Sequence, residues 1–225
     1  MSKTLFVDTN EIKRYQLGAT EIDTSSGYTI VEVDVKNSSY ESKLLSSGYR
    51  FLDRVFEMDI ALSGAVDVDD LSSQGIKFVV DSIVSDDIYE LACEVYDSDR
   101  RFHLDPVFNQ ENANHILKQY IEDYKQIGVK VFKAYREQEL LGFTIVNENV
   151  DEKAIFFENV LGATKPGIKG KMIAAPLYKK MLYEESKTFK KYYGKVSSSN
   201  LASINLHFML GGRIRNIYDE FIYKK

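Results

Sequence analysis

Cysteine, tryptophan and long apolar runs are scarce or missing in this chain of 225 residues. The one cysteine, Cys93, excludes an internal disulfide and any zinc site that is built from several cysteines. No apolar run reaches the roughly 18 residues that a membrane-spanning helix needs, and the N-terminal segment lacks the pattern of a signal peptide. We therefore expect a soluble, cytoplasmic protein.

An excess of positive charge is also missing. The 34 acidic residues outnumber the 29 lysines and arginines, so the formal net charge is -5. Nucleic-acid and anionic membrane partners are therefore not expected, because both require a basic surface. The lysines between residues 165 and 195 are a local exception. The chain is long enough for one large domain or two small ones.

Apolar residues recur at helical or strand spacing along most of the chain, which predicts a mixture of helices and strands. In the second half, the predicted elements follow the order β-β-β-α-β-α-β. They cover residues 129–136, 140–147, 153–161, 170–187, 192–198, 201–210 and 213–223. This order predicts an α/β (α+β) fold in which helices flank a mixed central β-sheet.

The first half has fewer elements and is interrupted by a polar, acidic stretch at residues 65–75. We predict strands and helices at residues 28–35, 39–46, 49–62, 76–84, 86–96 and 111–126. The polar stretch is the best candidate for a linker. The sequence therefore predicts a smaller N-terminal α/β part at residues 1–70 and a main domain at residues 71–225.

The two parts share a weak internal repeat. A strand, an asparagine, an amphipathic helix, a glycine and a second strand occur around Asn37 and Gly48, and again around Asn200 and Gly211. Two interpretations stay open. The N-terminal part is a truncated copy of the C-terminal one, or strand–helix–strand units resemble one another because they use the same turn chemistry.

A glycine- and lysine-rich turn at residues 162–175 lies between a predicted strand and a predicted helix. Such a turn can hold phosphate, because glycines admit a close approach and a helix N-terminus offers free N–H groups. A solvated loop is the alternative. A Walker A loop is excluded, since Ile168 stands where that motif needs lysine, and no Rossmann glycine fingerprint is present.

The C-terminal half resembles the GCN5-related N-acetyltransferase (GNAT) superfamily. The resemblance rests on the segment Lys169-Gly-Lys-Met-Ile-Ala174 after a strand, followed by Asn200 and Gly211 at the family's spacing. It departs from the family where Met172 replaces a glycine and where Pro176 falls within the helix. It implies a GNAT fold and acetyl-CoA as co-substrate, without a metal. The implied acetyl-CoA-binding residues are Leu161, Gly162, Gly167, Ile168, Lys169, Gly170, Lys171, Met172 and Asn200.

The same resemblance implies two catalytic residues. His207 stands where many members have the tyrosine that protonates the departing CoA thiolate, and an imidazolium can donate a proton. Glu158 lies on the strand beside the implied thioester site, where a carboxylate can take a proton from the amine. The alternatives are a histidine that lines the helix surface and a glutamate that faces solvent.

Over most of its length the chain is similar to sugar-nucleotide N-acetyltransferases of the TDP-fucosamine acetyltransferase type. This similarity rests on Asp99-Arg-Arg-Phe-His-Leu-Asp-Pro106 and on the aromatic segment from Tyr120 to Tyr124. It implies that an acceptor is bound by Arg100, Arg101, His103 and Tyr120. Ordinary surface charge for the arginines, and a core position for Tyr120, are the alternatives.

Together these patterns predict an N-acetyltransferase that acts on a primary amine by direct transfer. The implied acceptor is an amino sugar of a nucleotide-sugar in surface polysaccharide or lipopolysaccharide biosynthesis. Another small amine, a protein N-terminus, or a catalytically degenerate protein that only binds CoA are the alternatives. The sequence also leaves open whether the chain forms a homodimer.

Overall fold

A nine-stranded mixed β-sheet with five α-helices forms the part of the chain that the computed structural model describes, residues 12–16, 28–68, 75–96, 110–148 and 155–224. The strands are β1 (Ile12–Gln16), β2 (Tyr28–Asp34), β3 (Arg50–Ala61), β4 (Ile76–Asp81), β5 (Lys130–Arg136), β6 (Glu139–Asn147), β7 (Phe156–Thr164), β8 (Lys191–Ser197) and β9 (Arg213–Lys224). The helices are α1 (Ser38–Ser46), α2 (Asp86–Tyr96), α3 (Gln110–Ile127), α4 (Ile168–Glu185) and α5 (Leu201–Met209). A 3₁₀ turn, Val35–Asn37, precedes α1.

The strands lie in the order β1-β2-β9-β3-β8-β7-β6-β5-β4. Only the β1–β2 and β7–β8 pairs are parallel, and the other neighbours are antiparallel. The sheet is therefore mixed and flanked by helices, as the sequence predicts. The predicted order β-β-β-α-β-α-β for the second half is confirmed, and β1 is an additional strand that the sequence did not indicate.

Helices cover both faces of the sheet around β6 and β7. Leu140 and Phe143 of β6 pack in one cluster with residues of α2 and α3. Leu141 and Val146 pack in another cluster with Ile173 and other residues of α4. Apolar side chains thus leave β6 on both faces, which is why this strand is an almost continuous apolar run in the sequence.

Two boundaries differ from the prediction beside the glycine-rich turn. Strand β7 continues to Thr164, because Gly142 of β6 still pairs with Thr164, so Gly162, Ala163 and Thr164 belong to a strand and not to a turn. Helix α4 begins at Ile168, two residues earlier than predicted, and it contains Pro176. The missing N–H of a proline removes one intrahelical hydrogen bond, but it did not delay the start of the helix.

The internal repeat is present in the structure. Adding 163 to the residue numbers that bound β2, α1 and β3 gives the bounds of β8, α5 and β9. The pairing follows the same offset, because the β2–β9 pair Tyr28–Lys224 maps onto the β8–β3 pair Lys191–Ala61. The β3–β9 pair Val55–Tyr218 maps onto itself. The two units are therefore related by a pseudo-twofold axis that passes between β3 and β9.

The last strand of each repeat unit lies beside strands of the other unit. Strand β9 lies between β2 and β3, and β3 lies between β8 and β9. Strands from both predicted parts consequently share one sheet, although the division at residues 70 and 71 stays a prediction. The arrangement matters for function because β8, which follows α4, is held on its outer side by β3.

Candidate active site

A gap opens between the two parallel strands β7 and β8. Their pairing runs from Phe156–Lys191 to Asn159–Gly194 and then stops, although β7 continues to Thr164 and β8 to Ser197. The gap lies at the carboxyl ends of the strands, where open α/β sheets bind their ligands.

A β-bulge in β7 coincides with the start of this gap. Ile145 of β6 pairs with Leu161, whereas the next residue, Val146, pairs with Asn159, so Val160 is the extra residue. A bulge bends a strand and increases its local twist. The bulge therefore gives a physical reason why β7 leaves β8 at this position.

The N-terminus of α4 lies at the open end of the gap, directly after β7. Gly167 precedes the first helical residue and has a φ of 87°, a conformation that favours glycine. It provides no side-chain cap for the first-turn amides. The structure thus places the predicted acetyl-CoA cradle, from Gly167 through Met172, at a helix N-terminus that suits an anion. Met172 itself is 55% exposed.

Gly162 lies in the separated part of β7 and is contacted from both faces of the sheet. The Tyr96 hydroxyl donates to its carbonyl oxygen at 2.9 Å. On the other face, a Cβ atom at this position would lie 2.9 Å from the Tyr178 hydroxyl. A side chain at position 162 would therefore collide with the Tyr178 hydroxyl, which explains the glycine. Its neighbour Leu161 is buried.

Asn200 caps the N-terminus of α5, which follows β8. Its side-chain oxygen accepts a hydrogen bond from the Ser203 backbone N–H at 3.0 Å. The residue is otherwise exposed. The structure assigns Asn200 a capping role, and the predicted contact with acetyl-CoA stays a prediction.

His207 is buried at the base of the gap, with 1% of its surface exposed. Its Nδ1 lies 2.7 Å from the Ser203 carbonyl oxygen, and its Nε2 lies 2.7 Å from the Tyr192 hydroxyl. A carbonyl oxygen only accepts, so Nδ1 carries the hydrogen of the neutral ring and Nε2 accepts from Tyr192. Burial lowers the pKa of His207, which favours this neutral form.

Two tyrosines that the sequence analysis did not single out complete this cluster. The ring centroids of Tyr178 and Tyr192 lie 5.7 Å and 5.5 Å from that of His207. Burial raises the pKa of Tyr178 to about 12 and that of Tyr192 well above its usual value. The Tyr192 hydroxyl lies where a Cβ atom on Gly194 would stand. Gly162 and Gly194, which both lie within strands, are the sequence signal that could have revealed both tyrosines.

Glu158 lies on the opposite face of the sheet from this cluster. Its neighbours Phe157 and Asn159 contact Tyr192 and Tyr178, and side chains alternate along a strand. Glu158 itself is partly buried and pairs in register with Tyr193 of β8. It thus borders the last paired residues before the gap, and its role as a base stays a prediction.

Of the four predicted acceptor residues, the structure describes only Tyr120. Arg100, Arg101 and His103 lie outside the described residues. Tyr120 is partly buried on α3, where its ring meets Tyr124 edge-on at 5.0 Å between centroids, and it packs against the α2–α3 cluster. An acceptor contact by Tyr120 stays a prediction.

The described residues provide neither a candidate metal site nor a helix that could cross a membrane. In that part of the chain, no group of three or more histidine, cysteine or acidic side chains is arranged to hold a metal ion. Within the same ranges, every helix is too short or too polar to cross a membrane.

Comparisons with known proteins reveal the fold but no close relative. No family model and no curated protein matches the chain. A tandem GNAT protein from the clavulanic acid biosynthesis pathway has a TM-score of 0.59 at 12% identity, over 88% of this chain and 64% of that one. A GCN5-related N-acetyltransferase from Sphaerobacter thermophilus has a TM-score of 0.55 at 15% identity, over 88% and 59%.

A Drosophila protein is also similar, with a TM-score of 0.64 at 15% identity over 95% of this chain and 71% of the other. The chain spans about three fifths of the length of the tandem and Sphaerobacter proteins. At identities this low, structural similarity shows the fold alone. The chain therefore has the fold of the GNAT N-acetyltransferases.

Proposed function

We propose that the protein is an acetyl-CoA-dependent N-acetyltransferase that acts on a primary amine. One observation carries this proposal. The gap between β7 and β8 has the N-terminus of α4 at its open end and the buried cluster of Tyr178, Tyr192 and His207 at its base. A helix N-terminus that can bind an anion and a set of proton-bearing groups thus lie at the two ends of one gap.

The chain's own groups fit acetyl-CoA at this gap. Backbone amides from Gly167 through Met172 would hold the pyrophosphate, with nearby lysines adding charge. The co-substrate supplies the activated acetyl group. The backbone of β7 around Leu161 and Gly162 would polarise the thioester carbonyl, while Glu158 or a water molecule takes a proton from the amine. The resemblance to the GNAT superfamily implies that His207 protonates the leaving thiolate.

The favoured acceptor is an amino sugar on a nucleotide carrier, used in surface polysaccharide synthesis. Support comes from the sequence between Asp99 and Pro106, where Arg100 and Arg101 suit a diphosphate and His103 follows two residues later in the sequence. A polyamine, an antibiotic, an amino acid or a protein N-terminus would fit the same chemistry at the amine.

Thiol release tests the activity directly. The protein is incubated with acetyl-CoA and a panel of amines that includes nucleotide-linked amino sugars, and free CoA is measured with a thiol reagent. The single Cys93 adds at most one equivalent, which a reaction without amine measures. Amine-dependent release over many turnovers supports the enzyme, and no release with any amine would refute it.

A CoA-binding protein without catalysis is the second candidate. Two observations favour it, the exposed Met172 in place of a family glycine and the burial of His207 with both ring nitrogens bonded inside the protein. Calorimetry with acetyl-CoA separates the two candidates. Binding without turnover across the amine panel leaves only this one, and no binding excludes both.

A further inference from the structure

The hydroxyl groups of Tyr178 and Tyr192 stand on the two sides of the gap. Tyr178 reaches from α4 over Gly162 of β7, and Tyr192 lies over Gly194 of β8. The two phenols are close enough for Tyr178 to contribute to the raised pKa of Tyr192. Both are therefore candidates for a proton donor to a group that enters between the strands.

The Tyr192 hydroxyl already donates its hydrogen to His207. His207 carries its hydrogen on Nδ1, toward the Ser203 carbonyl, so Nε2 can only accept, and the nearest donor is the Tyr192 hydroxyl at 2.7 Å. If Tyr192 gave its proton away, a phenolate would face the lone pair of Nε2 in a buried site. Such an arrangement is unfavourable because neither atom would carry a hydrogen.

The hydroxyl of Tyr178 has the opposite arrangement. Its oxygen accepts a hydrogen bond from the Asn159 side-chain amide at 3.3 Å. The other hydrogen of that amide goes to Thr144 Oγ1 at 2.6 Å, which fixes the amide's orientation. Because Asn159 donates, it stabilises the Tyr178 oxygen when negative charge develops there. The phenol's own hydrogen can then be donated.

The position of Tyr178 along α4 fits a ligand whose pyrophosphate sits at the helix N-terminus. Tyr178 lies eleven residues after Gly167. At about 1.5 Å per residue, the two positions are roughly 16 Å apart along the helix axis. The extended pantetheine arm of coenzyme A can span such a distance, which would bring its sulfur near the base of the gap.

We propose that Tyr178, and not His207, is the catalytic acid that protonates the departing thiolate, while His207 positions Tyr192. This inference rests on the proposed function. The amine nitrogen attacks the thioester carbon, the C–N bond forms and the C–S bond breaks. The sulfur takes the hydroxyl proton of Tyr178, and the proton released from the amine nitrogen returns to the phenolate through water. Atoms and charge balance, and the net products are the amide and free CoA.

Burial supports the role, because it keeps the phenol in its protonated form over the working pH range. With a pKa of about 12, Tyr178 keeps its hydrogen at neutral and moderately alkaline pH. The same burial also raises the pKa of a CoA thiol that forms beside Tyr178. This narrows the difference between the pKa of the thiol and the pKa of the phenol.

Removing the hydroxyl tests the proposal. Tyr178→Phe should lower kcat for amine acetylation about 100-fold or more, with the KM for acetyl-CoA changed less than about twofold. Tyr183→Phe is the matched control on the same helix, because Tyr183 packs against the Lys180 and Lys187 amino groups at the surface. It should keep the wild-type kcat. Calorimetry with acetyl-CoA checks that each variant is folded and binds.

A ring-fluorinated tyrosine at position 178 supplies the readout that a structural role would not move. Its phenol is more acidic, so kcat should fall at alkaline pH where the wild type stays active. An unchanged pH profile, or a kcat for Tyr178→Phe within about twofold of wild type, would overturn the assignment while the enzyme stands. Lack of turnover by the wild type with every amine would refute the proposed function, and this inference with it.

Discussion

Single residues at the gap are constrained by what meets them from the two faces of the sheet. At Gly162, a hydrogen stands where any other residue would place a carbon against the Tyr178 hydroxyl and, at 3.4 Å, against Thr144 Oγ1. The alternation of β7 then sends Phe157 and Asn159 to the same face as Tyr178, and Glu158 to the other. One glycine thus permits a tyrosine from a helix to reach the point where the strands part.

The constraint on Gly162 predicts a measurable clash. Gly162→Ala should lower the free energy of unfolding by about 1 to 3 kcal/mol, because the new methyl group overpacks the site. Chemical denaturation measures the loss. The double variant with Tyr178→Phe should recover most of it, since the clashing oxygen is gone. Equal stability of the single and double variants would show that the tyrosine is not the obstacle.

Among the helices, α1 and α5 offer a matched comparison because the pseudo-twofold axis relates them. Asn200 caps α5 through its side chain, whereas its counterpart Asn37 makes no side-chain cap. Asn200→Ala should therefore cost about 1 kcal/mol of unfolding free energy, and Asn37→Ala less than about 0.5 kcal/mol. Thermal or chemical denaturation of both variants measures the two losses. Equal losses at both positions would contradict the capping assignment.

The far end of α4 contains a buried acid that responds to pH. Glu185 accepts from Lys130 Nζ at 2.8 Å, and Lys130 also pairs with Glu148. Burial, reinforced by the hydrogen bond with Glu148, raises the pKa of Glu185 to about 7. The stability that depends on its proton is present below the unfolded pKa of 4.5 and is lost as the pH rises toward 7.

Glu185→Gln should therefore stabilise the protein relative to wild type increasingly as the pH rises from about 5 to 7, because glutamine cannot lose a proton. Above pH 7 the difference should stay constant. Denaturation of both proteins at each pH measures it. A difference that is independent of pH would mean that Glu185 titrates normally in the folded protein.

Most elements could be predicted from the sequence because their signals are local. The apolar spacing of α3 and the short apolar runs of β5 and β6 need no partner to be recognised. The position of β3 between β8 and β9 could not, because strand pairing across more than a hundred residues leaves no local pattern. Tyr178 and Tyr192 were missed for a similar reason, since their spacing is that of ordinary core aromatics.

For the whole molecule, the exchange of strands between the two repeat units makes the N-terminal part necessary for the gap. Without β3, the outer side of β8 would lose its partner, and the buried side chains of Val55, Met58 and Ile60 would be missing. Three such side chains contribute about 5 kcal/mol or more, which is comparable with the total stability of many domains.

A fragment of residues 71–225 should therefore fail to fold alone, although the sequence assigns it the whole acetyltransferase domain. Circular dichroism and one-dimensional NMR would show this. Mixing it with a fragment of residues 1–70 should restore a folded complex, because β3 could again pair with both β8 and β9. A fragment 71–225 that folds and binds acetyl-CoA without its partner would contradict the shared sheet.

Calorimetric titration of acetyl-CoA into the intact protein tests the proposed acetyl-CoA site most directly. We predict saturable binding with one molecule per chain, weakened by Lys169→Ala through the loss of one positive charge from the first turn of α4, and unaffected by the control Lys179→Ala later on the same helix. No heat of binding from a folded wild-type protein would contradict the site between β7 and β8, and with it the proposed enzyme.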